Sequence, residues 1–141
     1  MKRSEAVTLY YFLKSLKKYE DMSIWRFSVE RNIVTLQPEA ELFEKKKEEL
    51  NQERIRLAEI FCEKDHTNSP VFENVGDVKN YKMSSSGIAK FNAEFKIKLE
   101  EMEKYFNESL TDLVICTPSL KDLPDELLSK LPQLKNMVVT S

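Results

Sequence analysis

Glycine is nearly absent from this chain of 141 residues, in which only Gly76 and Gly87 occur. Phosphate-cradling loops need several glycines so that the backbone can approach its ligand, so neither a Walker loop nor a dinucleotide fingerprint can be written here. The same scarcity removes most tight hairpins and disfavours an all-β fold. Cysteine is equally sparse. Cys62 and Cys116 stand far apart, with no Cys-x-x-Cys pair and no disulfide framework. Their thiols are expected to be reduced, as in the cytosol. No apolar run approaches the ~18 residues of a membrane span. After Lys2 and Arg3 the chain continues with Ser4 and Glu5 instead of an apolar segment, so no signal peptide is read and a cytoplasmic location is expected.

An excess of one charge is also missing. Lys and Arg number 22 against 24 Asp and Glu, a formal net charge of -2, whereas nucleic-acid binders usually show a basic excess. Only residues 1–20 are locally basic, with five basic and two acidic side chains.

What is present is helical periodicity in a charge-rich chain. Hydrophobic residues are 41% and charged residues 33%, which favours elongated elements with much wet surface over a deep spherical core. Eight Phe, five Tyr and one Trp still supply enough apolar area to exclude disorder. The length suits a single domain over 1–141.

Ser4 is a candidate cap for a first helix over 4–19, in which Ala6, Leu9, Tyr10, Leu13 and Leu16 form one apolar stripe. Ser23 is a second candidate cap. From Ile24 to Lys64 there is no glycine and one proline. Leu36, Phe43, Leu50 and Leu57 fall seven apart, followed four residues later by Ala40, Lys47, Arg54 and Phe61. This is a heptad seam with a charged middle, and long Lys and Arg stems can cover apolar surface there. A long helix is expected. Pro38 removes a backbone donor, so it kinks the helix, splits it, or opens a new one.

Residues 65–83 differ in kind. Asp65 to Pro70 reads as a loop, and Val71-Phe72 with Val78 to Met83 flank a turn to form a small hairpin. A third helix is expected over 85–106, capped within Ser84-Ser85-Ser86. Its residues Ile88, Phe91, Phe95, Leu99, Met102 and Phe106 give the strongest periodicity in the chain. That stripe reads as core against the long helix. Leu113 to Cys116 reads as a strand. Pro124-Asp125-Glu126 opens a short last helix with Leu127, Leu128, Leu131 and Leu134 on its apolar side, interrupted by Pro132. The fold class is therefore mainly α (α+β): a helical hairpin over 4–64, a packed third helix and a small β element.

The order of these elements, with Leu36-Gln37-Pro38-Glu39 inside a Glu/Lys-rich run and Phe91-Asn92-Ala93-Glu94-Phe95 after a Tyr-containing hairpin, resembles a family of small phage and prophage proteins of unassigned function. The resemblance implies a bacteriophage origin, and with it the host bacterial cytoplasm. It supplies no catalytic residues.

Candidate chemistry is thin. Cys62 and His66 could share a metal, but a structural zinc wants four ligands and the plainer reading is a helix end running into a polar loop. A Cys–His nucleophile lacks an orienting acid and an oxyanion pocket. Glu100, Glu101 and Glu103 point in different directions from one helix and read as a solvated face. Lys45-Lys46-Lys47 is flanked by acids and reads as an exposed helix face with mixed-sign pairs. No cofactor or metal is expected. Trp25 and Arg26 are residue types favoured at interface hot spots, and they read equally well as the core of the hairpin of the first two helices. Together with the seam they make the expected partner-binding set: Trp25, Arg26, Leu36, Phe43, Lys47, Leu50, Arg54 and Leu57. The leading expectation is a non-enzymatic protein-binding module, acting through its long helix on another protein or on a second copy. The alternative is a nucleic-acid accessory protein using Lys2, Arg3, Lys14, Lys17, Lys18, Tyr10 and Tyr11.

Overall fold

The computed structural model describes residues 1–16 and 24–138. The architecture is mainly α with one small antiparallel sheet. In chain order it comprises α1 (Arg3–Ser15), α2 (Ile24–Phe61), β1 (Phe72–Val75), β2 (Val78–Tyr81) and α3 (Ser85–Phe106). A 3-10 turn (Leu120–Asp122) and a 3-10 helix (Asp125–Leu134) follow. The chain divides into two compact units, Met1–Glu44 with Tyr105–Ser141 and Lys45–Lys104. Accordingly α2 contributes its first half to one unit and its second half to the other.

The first unit is built on α1. Its N-cap is Lys2 and not Ser4, which lies inside the helix. The Glu5 carboxylate accepts the Lys2 backbone N–H at 2.9 Å, half of a capping box. The helix closes at Ser15, short of the expected residue 19, because Leu16 turns to extended backbone. The N-terminus is stitched to the segment after α3: Arg3 N–H donates to Glu108 O at 3.0 Å and Leu110 N–H to Met1 O at 2.8 Å. The core gathers Ala6, Leu9 and Leu13 of α1, Trp25 and Leu36 of α2, and Leu123, Leu127, Leu134, Met137 and Val138. It is thus the C-terminal segment that covers the first half of α2. The last helix is 3-10 and includes Pro132. Leu127 and Leu134 are buried, whereas Leu128 is exposed.

The expected strand at Leu113 to Cys116 does not form. A strand needs a ladder partner, and this segment finds a side chain instead. Asn32, fully buried on α2, donates Nδ2–H to Cys116 O at 2.9 Å and accepts the Cys116 N–H on Oδ1 at 2.6 Å. One amide thereby satisfies both backbone groups of Cys116, which would otherwise be costly to bury.

α2 is one unbroken helix of 38 residues with Pro38 inside it, so Pro38 does not split it. Pro38 lies on the exposed side. The carbonyl it orphans belongs to Val34, which is itself strongly exposed, so water can take the place of the missing N–H. The expected cap Ser23 lies outside the described residues, and the helix ends at Phe61 instead of Lys64.

The second unit joins the rest of α2 to the hairpin and α3. β1 and β2 pair in register from Phe72↔Tyr81 to Val75↔Val78. A two-residue turn of Gly76 and Asp77 connects them. Gly76 has φ 62° and Asp77 is not in the left-handed region, the signature of a II′ turn with glycine first. The preceding loop is organised by Asp65, whose Oδ1 accepts N–H from Thr67 and Ser69 and the Thr67 hydroxyl. These three bonds hold the Asp65 carboxyl below its ordinary value. Ser84 caps α3, its Oγ accepting the Gly87 N–H at 3.1 Å. Gly87 is required by proximity: a Cβ there would lie 2.4 Å from the Phe61 carbonyl oxygen. The end of α2 and the start of α3 are therefore in backbone contact.

Candidate interaction surface

The eight residues expected to meet a partner do not form one surface. Trp25 and Leu36 are 1% and 0% exposed inside the first unit's core, and Leu57 is 3% exposed inside the second. As placed, none of the three can be offered to another molecule. Their burial corrects the expectation of an uncovered seam: α2 is long, but the apolar seam positions at both its ends are covered by the chain's own neighbours. Phe43 is half-buried, edge-to-face with Phe106 at 5.3 Å. Arg26 ion-pairs with Glu30 at 3.2 Å. Leu50 and Arg54 are half-buried, with Arg54 donating to Asn51 Oδ1, and only Lys47 is exposed.

Of the N-terminal set, Arg3, Tyr10 and Tyr11 are engaged within the first unit. Arg3 is held between Glu108 at 2.5 Å and Glu39 at 3.6 Å, and its guanidinium lies 4.2 Å from the centroid of the Tyr105 ring. Arg3 thus ties α1 to α2 and to the segment after α3, and its charge is neutralised there. The Tyr11 hydroxyl donates to Glu44 at 2.7 Å, a bond that raises its pKa. Tyr10 packs against the core. Lys2 and Lys14 remain exposed, and Lys17 and Lys18 lie outside the described residues.

Cys62 is buried at the end of α2, where the Lys64 ammonium donates to its sulfur at 3.2 Å, while His66 sits in the exposed loop. Among the described residues no group of three or more His, Cys, Asp or Glu is placed to hold a metal ion. Lys46 ion-pairs with Glu49. Glu100 and Glu101 pair with Lys96 and Lys98 at 3.8 and 3.9 Å. An open cleft of about 310 Å³ between α1 and the last 3-10 helix is lined by Ser4, Glu5, Thr8, Leu9, Pro132 and Asn136, among others. Its one carboxylate, Glu5, is bound by the Lys2 backbone N–H, by Asn136 and by Lys135, which together hold its pKa low. A carboxylate held ionised in this way is poorly suited to act as an acid or base near neutral pH.

The surface that sequence reasoning missed is on α3. Its stripe was read as core, yet Ile88 is 49% and Leu99 44% exposed. Phe91, Phe95 and Met102 are only half-buried, the two rings stacking on each other at 5.5 Å. Of the whole second unit only Leu57, Ala58, Cys62 and Gly87 are fully buried. The hairpin adds to the exposed apolar area: Phe72, Val75 and Val78 are all exposed. Phe72 lies beside Tyr81, whose hydroxyl bonds Glu59. Periodicity could reveal the stripe but not its exposure, because spacing says which residues share a face and not whether a neighbour covers it.

Comparison with protein families, with curated proteins and with solved structures finds no match to this chain. No helix among the described residues is long and apolar enough to cross a membrane.

Proposed function

We propose that the chain is a non-enzymatic protein-binding module whose docking face is the apolar stripe of α3. The observation that carries this reading is the exposure of Ile88 and Leu99 on the same periodic stripe as Phe91 and Phe95. Single exposed hydrophobic residues are ordinary, but a contiguous apolar strip on a soluble surface marks a contact site. The surface thus moves from α2, where the seam is covered at both ends, to α3. If the chain shares the phage origin that its element order suggests, the partner is a virion-assembly component or a host factor.

The test is a photo-crosslinking residue placed at Leu99 and, as control, at Glu101, which projects from the opposite side of α3. The expected result is a discrete protein adduct from position 99 and none from 101, lost when Ile88→Lys is added. Absence of any discrete adduct from position 99 would end this reading.

A further inference from the structure

The charges of α3 point to what covers its stripe. Ser85 to Lys98 carries Lys90, Lys96 and Lys98 against the single acid Glu94, whereas Leu99 to Lys104 carries Glu100, Glu101 and Glu103 against Lys104. This order is the reverse of what a helix itself prefers, since acids favour the N-terminal end and bases the C-terminal end. The ion pairs within the helix run from Lys to Glu, the weaker direction. They are also long and exposed, so they contribute little. Laying a second α3 antiparallel on the first becomes favourable at the border of the stripe, because Lys96, from the basic half, then faces Glu103, from the acidic half of the other copy.

We infer that the stripe of α3 is a self-association surface, on which a second copy of this chain docks antiparallel about a two-fold axis beside Leu99. This deepens the protein-binding reading and rests on it. Phe95 and Leu99 lie on one helical face, and Ile88 lies seven residues before Phe95 on that same face. Lys96 stands three residues before Leu99 and Glu103 four residues after it, both bordering that face. A dyad at this point brings Leu99 against its own copy and Lys96 of each chain to Glu103 of the other. Each such pair occurs twice, as the self-complementarity of a two-fold interface requires. With one helical face as its apolar core the dimer is weak and concentration-dependent.

The experiment is sedimentation equilibrium on the full chain over a wide concentration range, with circular dichroism to confirm folding. The unaltered chain is expected to pass from monomer to dimer. Leu99→Glu, at an already half-exposed position, should weaken the dimer at least about tenfold. Lys96→Glu and Glu103→Lys should each weaken it about twofold to fivefold. An equimolar mixture of those two variants should recover association, because one chain then offers two acids where the other offers two lysines. Spin labels in a background with both native cysteines replaced should lie close together at position 99. They should lie roughly 33 Å apart at position 88, from a 1.5 Å rise over twice the offset between the two positions.

A monomer at every concentration, a dimer indifferent to Leu99→Glu, or labels as close at 88 as at 99 would overturn the proposal. A strict monomer whose Leu99 photo-adduct contains a different protein would overturn self-pairing and leave the binding module standing. A monomer with no adduct would overturn both.

Discussion

The two units divide one helix between them and clothe it differently. In the first, Leu13, Trp25, Leu36, Leu134 and Met137 are each at most 1% exposed, because α1 and the C-terminal segment both lie against the early part of α2. In the second, one helix and a two-stranded hairpin serve the later part. Leu57 is well buried, but Ile60, Ile88 and Leu99 stay about half exposed. A two-helix arrangement has one contact line, so a stripe wider than that line is left partly in water. The comparison teaches that a strong apolar period does not by itself make a core. The stripe on α3 is the most regular in the chain and among the least covered.

The contrast can be broken most severely in the first unit. Leu36→Ala and Trp25→Ala should each cost about 3–5 kcal/mol by leaving a cavity in a closed core. Leu57→Ala in the thinner core should cost less, about 2 kcal/mol. Urea unfolding of the three variants measures the difference, and equal losses would mean that the second unit is as tightly packed as the first.

Two single contacts come next. Gly87→Ala should cost about 1–3 kcal/mol, since its methyl meets the Phe61 carbonyl and α2 and α3 must separate. Asn32→Ala strips both partners from the Cys116 backbone and should cost about 1–3 kcal/mol. Faster amide exchange at Cys116 would accompany it, and unchanged exchange would mean that the clamp is dispensable.

A smaller effect depends on pH. The Lys2 backbone N–H, Asn136 and Lys135 lower the Glu5 pKa from its ordinary 4.5. The ionised form is therefore the one favoured by folding. Its stabilisation is present above the unfolded value and is lost as pH falls through the lower folded value. Glu5→Gln should melt below the unaltered chain at neutral pH, by less than about 1 kcal/mol. The two melting curves should converge in acid. A gap that persists at low pH would assign the effect to shape instead of charge. The smallest change expected is at the exposed stripe, where Leu99→Ser should alter monomer stability by no more than about 0.5 kcal/mol. A large loss there would place Leu99 in the core after all.

Much of the architecture was legible before any coordinates. The bounds of α3, the existence of the hairpin and the long helix follow from local rules of spacing, capping and turn chemistry, although Asn74 and Val75, read as part of the turn, belong to β1. α1 was read correctly in kind but misjudged at both ends. Its cap is a backbone–carboxylate bond at Lys2 and not a serine, and short-range signals blur over a turn. The strand at Leu113 to Cys116 was misread because its partner is Asn32, more than eighty residues away, and no local pattern encodes such a meeting.

The candidate site was less legible than the fold. Trp25 is a residue type favoured at hot spots and Leu36 and Leu57 are seam positions, and burial alone separates a core from a docking face. By itself, then, the sequence determined which residues share a helix face, where the chain turns, and that neither glycine-rich loops nor a disulfide framework could form. These depend on neighbours a few residues apart. Only the tertiary structure decided which faces are covered, that Asn32 holds Cys116, that Arg3 is neutralised between Glu39 and Glu108, and that α3 keeps part of its stripe in water. Those outcomes depend on which distant segments meet, and burial is a property of the assembled surfaces.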